Sequence, residues 1–94
     1  MTLQQIQEIM QQAVIHHRSG RLGEAEQLYR RVLSDQPNYA HALHLLGLVA
    51  FQSGHAQEAL VHIDKAIALN SKSPDFYLNK GVVLDQLGRS KAAI

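Results

Sequence analysis

Residues 20–25 read Gly-Arg-Leu-Gly-Glu-Ala, residues 54–59 read Gly-His-Ala-Gln-Glu-Ala, and residues 88–93 read Gly-Arg-Ser-Lys-Ala-Ala. The glycine and the final alanine of each stretch return every 34 residues, and Glu24 and Glu58 match between the first two. A second small-residue series, Ala13, Gly47 and Gly81, keeps the same spacing. A fixed period of this length marks an array of stacked units in which each unit buries its apolar face against the next. Working outward from these anchors divides the chain into repeats at 6–39, 40–73 and 74–94, the third stopping after its first 21 positions.

Within each unit the apolar residues recur at helical spacing, as in Leu43, Leu46, Ala50 and Phe51, then Ala59, Ile63, Ala66 and Ile67. Each repeat is therefore expected to be a pair of helices. Gly20, Gly54 and Gly88 stand where the first helix of a pair needs a left-handed residue to end it. Thr2 with Gln5 has the spacing of a capping box, Asn38 is the expected cap of the third helix, and Ser73-Pro74 places a cap before a first-turn proline. The expected helices run over 3–18, 22–34, 39–53, 56–69 and 74–87, with a sixth beginning near Ser90. Ala13, Gly47 and Gly81, with Ala25, Ala59 and Ala93, are expected where paired helices approach closely, since a bulky side chain there would force the axes apart. Ile9, Tyr29, Leu33, Leu43, Ile63, Ile67, Tyr77 and Leu84 are expected to fill the remaining core.

A 34-residue period with a small residue at position eight, Gly at fifteen, Ala at twenty, Tyr or Ile at twenty-four and Pro37 at thirty-two resembles the tetratricopeptide repeat. Ser71 departs from it by standing where the proline is usual, and Gln12 and Lys80 depart where Leu46 is the familiar type. The resemblance covers almost the whole chain. It implies an all-α, right-handed α-solenoid of antiparallel helix pairs forming a single domain over 1–94.

In that family the first helices of successive repeats line a groove. Carried onto this chain, the family rule selects Gln7, Met10, Val14, His17 and Arg18, then His41, His44, Leu48, Phe51 and Gln52, then Asp75, Leu78, Val82, Asp85 and Gln86. The implied partner-binding residues are Met10, Val14, His17, His41, His44, Leu48, Phe51, Gln52, Leu78, Asn79 and Val82. Met10, Val14, Leu48, Phe51, Leu78 and Val82 are expected to make an apolar floor, with Phe51 the strongest contact. The five residues of the carboxylate clamp found in chaperone-binding members fall here on Met10, Val14, Leu45, Asp75 and Asn79, and none matches. Asn79 matches the sixth-position asparagine of the repeats in O-linked N-acetylglucosamine transferases, whereas Gln11 and Leu45 do not.

The implied function is a scaffold that binds a protein or peptide. An alternative reading is a recruiting segment of a larger enzyme, because these repeats resemble those preceding a glycosyltransferase- or sulfotransferase-like domain in bacterial proteins. No catalytic residue, cofactor or metal ligand is assigned. His41 and His44 lie three apart on one helix and His16-His17 on its neighbour, but no H-E-x-x-H is present and no carboxylate accompanies the first pair at ligand spacing. Without cysteine, and without a G-x-S-x-G, G-x-G-x-x-G or G-x-x-x-x-G-K element, nucleophile and nucleotide chemistry have no motif to stand on.

Composition points the same way. With 46% hydrophobic and 18% charged residues the chain is an ordinary globular one, and a formal charge of +1 gives too weak a field to hold a nucleic-acid backbone. The first residues lack the basic and apolar regions of a signal peptide, and no apolar run approaches a membrane span. There is also no N-x-S/T site, so a cytoplasmic location is expected, with neither nucleic acid nor membrane as partner. The truncated third repeat leaves Tyr77, Leu84 and Leu87 short of packing partners, and self-association through that end is expected.

Overall fold

A computed structural model describes the backbone of residues 1–92 and the side chains of residues 1–89. Among the described residues five helices follow one another: α1 (Leu3–Arg18), α2 (Leu22–Asp35), α3 (Ala40–Gln52), α4 (Ala56–Leu69) and α5 (Pro74–Ala92). Each packs on the next in the chain, and α3 also touches α5. The described part of the chain is an all-α array of helical hairpins. Its extents of 46 × 29 × 19 Å leave no room for one central core, and three apolar clusters run along it instead.

Local chemistry accounts for most helix ends. Thr2 Oγ1 accepts from the Gln5 amide at 3.1 Å while Gln5 Oε1 accepts from the Thr2 amide at 2.8 Å, the reciprocal box expected from the sequence. At the other end of α1, Gly20 has φ +79°, and the Arg21 amide reaches back to the His16 carbonyl at 2.9 Å. Gly54 repeats the device with φ +86° and a 2.8 Å bond from the His55 amide to the Ala50 carbonyl. These six-to-one bonds satisfy orphan carbonyls and turn the chain into the next helix.

Two expected ends differ. The cap of α3 is Tyr39 rather than Asn38, and no side chain bonds to the helix start. Gly88 does not end α5, which continues to Ala92 and takes in the residues where the sixth helix was expected to begin. Among the described residues only Gly20 and Gly54 adopt positive φ. A Cβ at Gly88 would meet nothing within 4 Å, so no close contact there calls for glycine. The expected contact of Ala93 lies outside the described residues.

Packing follows the period in the first two repeats. Ala13, Ala25 and Ala59 are fully buried, and at Gly47 an added Cβ would come within 2.8 Å of Ile63 Cγ1 and 3.2 Å of the Ala59 carbonyl oxygen. Tyr29, Leu43 and Ile63 fill the core as expected, while Ile9, Leu33 and Ile67 pack at its margin. The third repeat breaks the pattern: Tyr77 and Leu84 are 48% and 47% exposed, and Phe76 and Val83 are buried in their place. The side of α5 that meets α3 and α4 carries Phe76 and Val83; no described helix covers the side carrying Tyr77 and Leu84.

Candidate functional site

The α1, α3 and α5 helices, the first of each pair, are tied together by two polar bonds. His17 Nε2 lies 2.6 Å from Gln52 Oε1, linking α1 to α3, and Asn79 Nδ2 lies 2.7 Å from His44 Nε2, linking α3 to α5. Each bond joins residues 35 apart, one repeat plus one position, so the same small offset recurs between successive helices. The first helices thus lie side by side, and the expected binding residues are distributed over them as follows.

Two adjoining cavities open between α1 and α3. The first, of about 460 Å³, is lined by Val14, His17, Arg18, Tyr29, His41, Leu45 and Gln52. The second, of about 430 Å³, is lined by Met10, Gln11, Val14, Ile15, Arg18 and His41. Val14, Arg18 and His41 form their common wall. Neither cavity has an aspartate or glutamate in its lining.

A chain of hydrogen bonds fixes the back of the first cavity. Because Gln52 Oε1 accepts, His17 Nε2 carries the proton, which leaves Nδ1 to accept from the Tyr29 hydroxyl at 3.3 Å. Burial pushes the Tyr29 phenol up to about 12, against the opposing pull of the Arg18 charge, so the hydroxyl stays a donor. The His17 and Tyr29 rings meet edge to face at 6.1 Å.

The α3–α5 junction is drier. His44 is 5% exposed, its ring lies 4.6 Å from that of Phe76, and its Nδ1 has no partner. Burial first, and then the neighbouring His41, lower its affinity for a proton, with Asp75 acting in the opposite direction. His44, expected among the polar residues of the groove, is a buried neutral wedge between two helices. Its protonation below neutral pH is opposed by that burial.

The other expected residues divide by exposure. Met10, expected on the apolar floor, is 6% exposed and belongs to the α1–α2–α3 core, from which it also lines the second cavity. Val14, His17, His41 and Gln52 come together around the first cavity. Leu48 is half-buried outside both cavities, and Phe51 is half-buried against Ala50, Ala59, Ile63 and Val83. Leu78 and Val82 stand out on α5, 66% and 47% exposed, and Asn79 is engaged by His44. Of the residues lining the two cavities, Gln11, Ile15, Arg18, Tyr29 and Leu45 are absent from the expected binding set. Arg18 has a sequence signal in its thirteenth position of the repeat, whereas Tyr29, on α2, reaches the cavity only through packing.

Among the described residues no three His, Cys, Asp or Glu side chains gather as a metal site would need, and no helix is long and apolar enough to cross a membrane. His16 is engaged by Arg21 Nε at 2.7 Å.

Stacked two-helix units, the glycine turns that end α1 and α3, and the bonds between successive first helices define an α-helical repeat protein. Tetratricopeptide-repeat models match residues 10–31, 40–73 and 62–94. The chain belongs to the tetratricopeptide-repeat family. It is also similar to human tetratricopeptide repeat protein 7A, 32% identical over 75 residues that make up 80% of this chain and 9% of that protein. The chain thus spans a small part of this relative's length.

Proposed function

We propose that this chain is a protein-interaction module that holds an extended peptide segment of its partner on the surface formed by α1, α3 and α5. The observation that carries this reading is the pair of adjoining cavities between α1 and α3. Apolar walls from Val14, Ile15 and Leu45 lie there beside a fixed polar back of His17, Gln52 and Tyr29. Clefts of this size with a few oriented polar groups suit side chains presented by an extended backbone. The exposed Leu78 and Val82 extend the apolar surface along α5. Self-association through the uncovered Tyr77–Leu84 side of α5 is a separate contact in the same proposal.

Selection of a random 12-residue peptide library on the immobilised chain, followed by titration of the winning peptide into isotope-labelled protein, tests the reading. Amide shifts concentrated at Val14, Arg18, His41 and Gln52 are the expected result. Shifts confined to α2 and α4 would place binding on the opposite surface and refute it.

A further inference from the structure

We infer that the first α1–α3 cavity is a subsite for the carboxylate of an aspartate or glutamate side chain in the bound peptide, with the second cavity taking an aliphatic side chain two positions away. This rests on the peptide-binding reading above and specifies the ligand it takes.

The argument begins with which polar groups remain available. Tyr29, His17 and the Gln52 side-chain oxygen hydrogen-bond to one another, so the back wall is held in place and keeps the Gln52 Nε2 amide as a donor. Arg18 is different: it lines both cavities, and among the described residues it forms no ion pair. Of the other arginines, Arg21 is engaged by His16, Arg30 by Glu26 and Glu58, and Arg89 by Asp85, while Arg31 lines neither cavity. No acidic residue lines either cavity, so nothing in the lining offsets the guanidinium charge.

A guanidinium fork recognises a planar carboxylate through two parallel hydrogen bonds, and the apolar walls of Val14 and Leu45 make such a charge-assisted bond stronger than in open water. A basic side chain would be repelled from the same position. Acidic groups sit elsewhere, with Asp75 close enough to His44 to act on its proton affinity. The ligand's acid is therefore directed to the α1 end of the surface.

The second cavity adds the neighbouring requirement. Met10, Val14 and Ile15 give it an apolar lining, and Val14, Arg18 and His41 separate it from the first. In an extended peptide residues i and i+2 face the same side roughly 7 Å apart, which suits side chains entering adjoining cavities. The recognised pattern is acidic-x-aliphatic, in either chain direction.

The test starts from the 12-residue library selected on the wild-type chain. Winning peptides should share an Asp or Glu with an aliphatic residue two positions away. Measured by fluorescence anisotropy, Arg18→Gln should weaken the best peptide about ten- to a hundredfold, the weight of a hydrogen bond to a charged group. Exchange of the peptide's acid for its amide should do the same. The two changes together should cost little more than either alone, and Arg18→Lys should recover only part of the loss. Peptides that shift the α1 and α3 amides yet carry no shared acid, or bind Arg18→Gln unchanged, would overturn the subsite while leaving the peptide-binding reading intact. A library yielding no binder, or only binders that shift α2 and α4, would overturn both.

Discussion

Gly47 and Gly81 occupy the same position in successive repeats, yet alanine should have opposite effects at the two. Both lie inside helices, where exchanging glycine for alanine gains about 0.5–1 kcal/mol in backbone propensity. At Gly81 a Cβ would meet nothing within 4 Å, so the gain should appear undiminished. At Gly47 it would stand 2.8 Å from Ile63 Cγ1, 3.2 Å from the Ala59 carbonyl oxygen and 3.4 Å from His62 Cβ. Carbon atoms rest at roughly 3.5–4.0 Å, so α3 and α4 must separate by the better part of an ångström. Ile63 is fully buried and Ala59 O is backbone, which leaves neither room to yield. Overpacking of this kind costs about 1–3 kcal/mol, enough to outweigh the propensity gain, and Gly47→Leu should lose more than ~2 kcal/mol. Urea denaturation followed by circular dichroism, with both alanine variants beside the wild type, measures the difference. A Gly47→Ala midpoint raised as far as that of Gly81→Ala would refute the close α3–α4 contact.

His44 should make the fold acid-sensitive. Its folded-state proton affinity is lowered from the ordinary 6.5, so its contribution is complete above that value and is lost as pH falls towards the lower folded-state value, where the unfolded chain binds a proton that the native chain resists. His41 opposes its protonation and Asp75 favours it; the urea midpoint should fall between pH 7.5 and 5, and His44→Gln should reduce that slope, whereas an unchanged slope would argue against the buried neutral wedge. Phe51→Ala should cost the fold about 2 kcal/mol, less than a fully buried phenylalanine because the ring is half-buried against Ala59 and Ile63; an unaltered denaturation midpoint would assign the whole ring to the binding surface. The uncovered side of α5 should associate at high concentration, and Tyr77→Lys with Leu84→Lys should reduce that association in sedimentation equilibrium; association equal to the wild type would place the contact elsewhere.

The sequence by itself determined the helix pairs, because their causes are local and repeated. Thr2 and Gln5 form a cap within one turn, Gly20 and Gly54 end helices because only glycine enters the left-handed region at little cost, and the 34-residue spacing keeps Ala13 in phase with Gly47 and Ala25 with Ala59. The same periodicity misplaced Tyr77, Leu84 and the end at Gly88, since repeat position predicts burial only where a neighbouring helix is packed to provide it. The candidate site was partly legible: Val14, His17, His41 and Gln52 meet at one cavity, as a rule for first helices allows. Tertiary structure alone decided that His44 sits beneath the surface with Phe76, that Met10 joins the core, and that Tyr29 reaches across from α2 to hold His17. Those outcomes depend on how deeply neighbouring helices nest and which side chain fills the space between them. A helical period records direction around one axis, whereas nesting depth is set by the summed volumes on both sides of the contact.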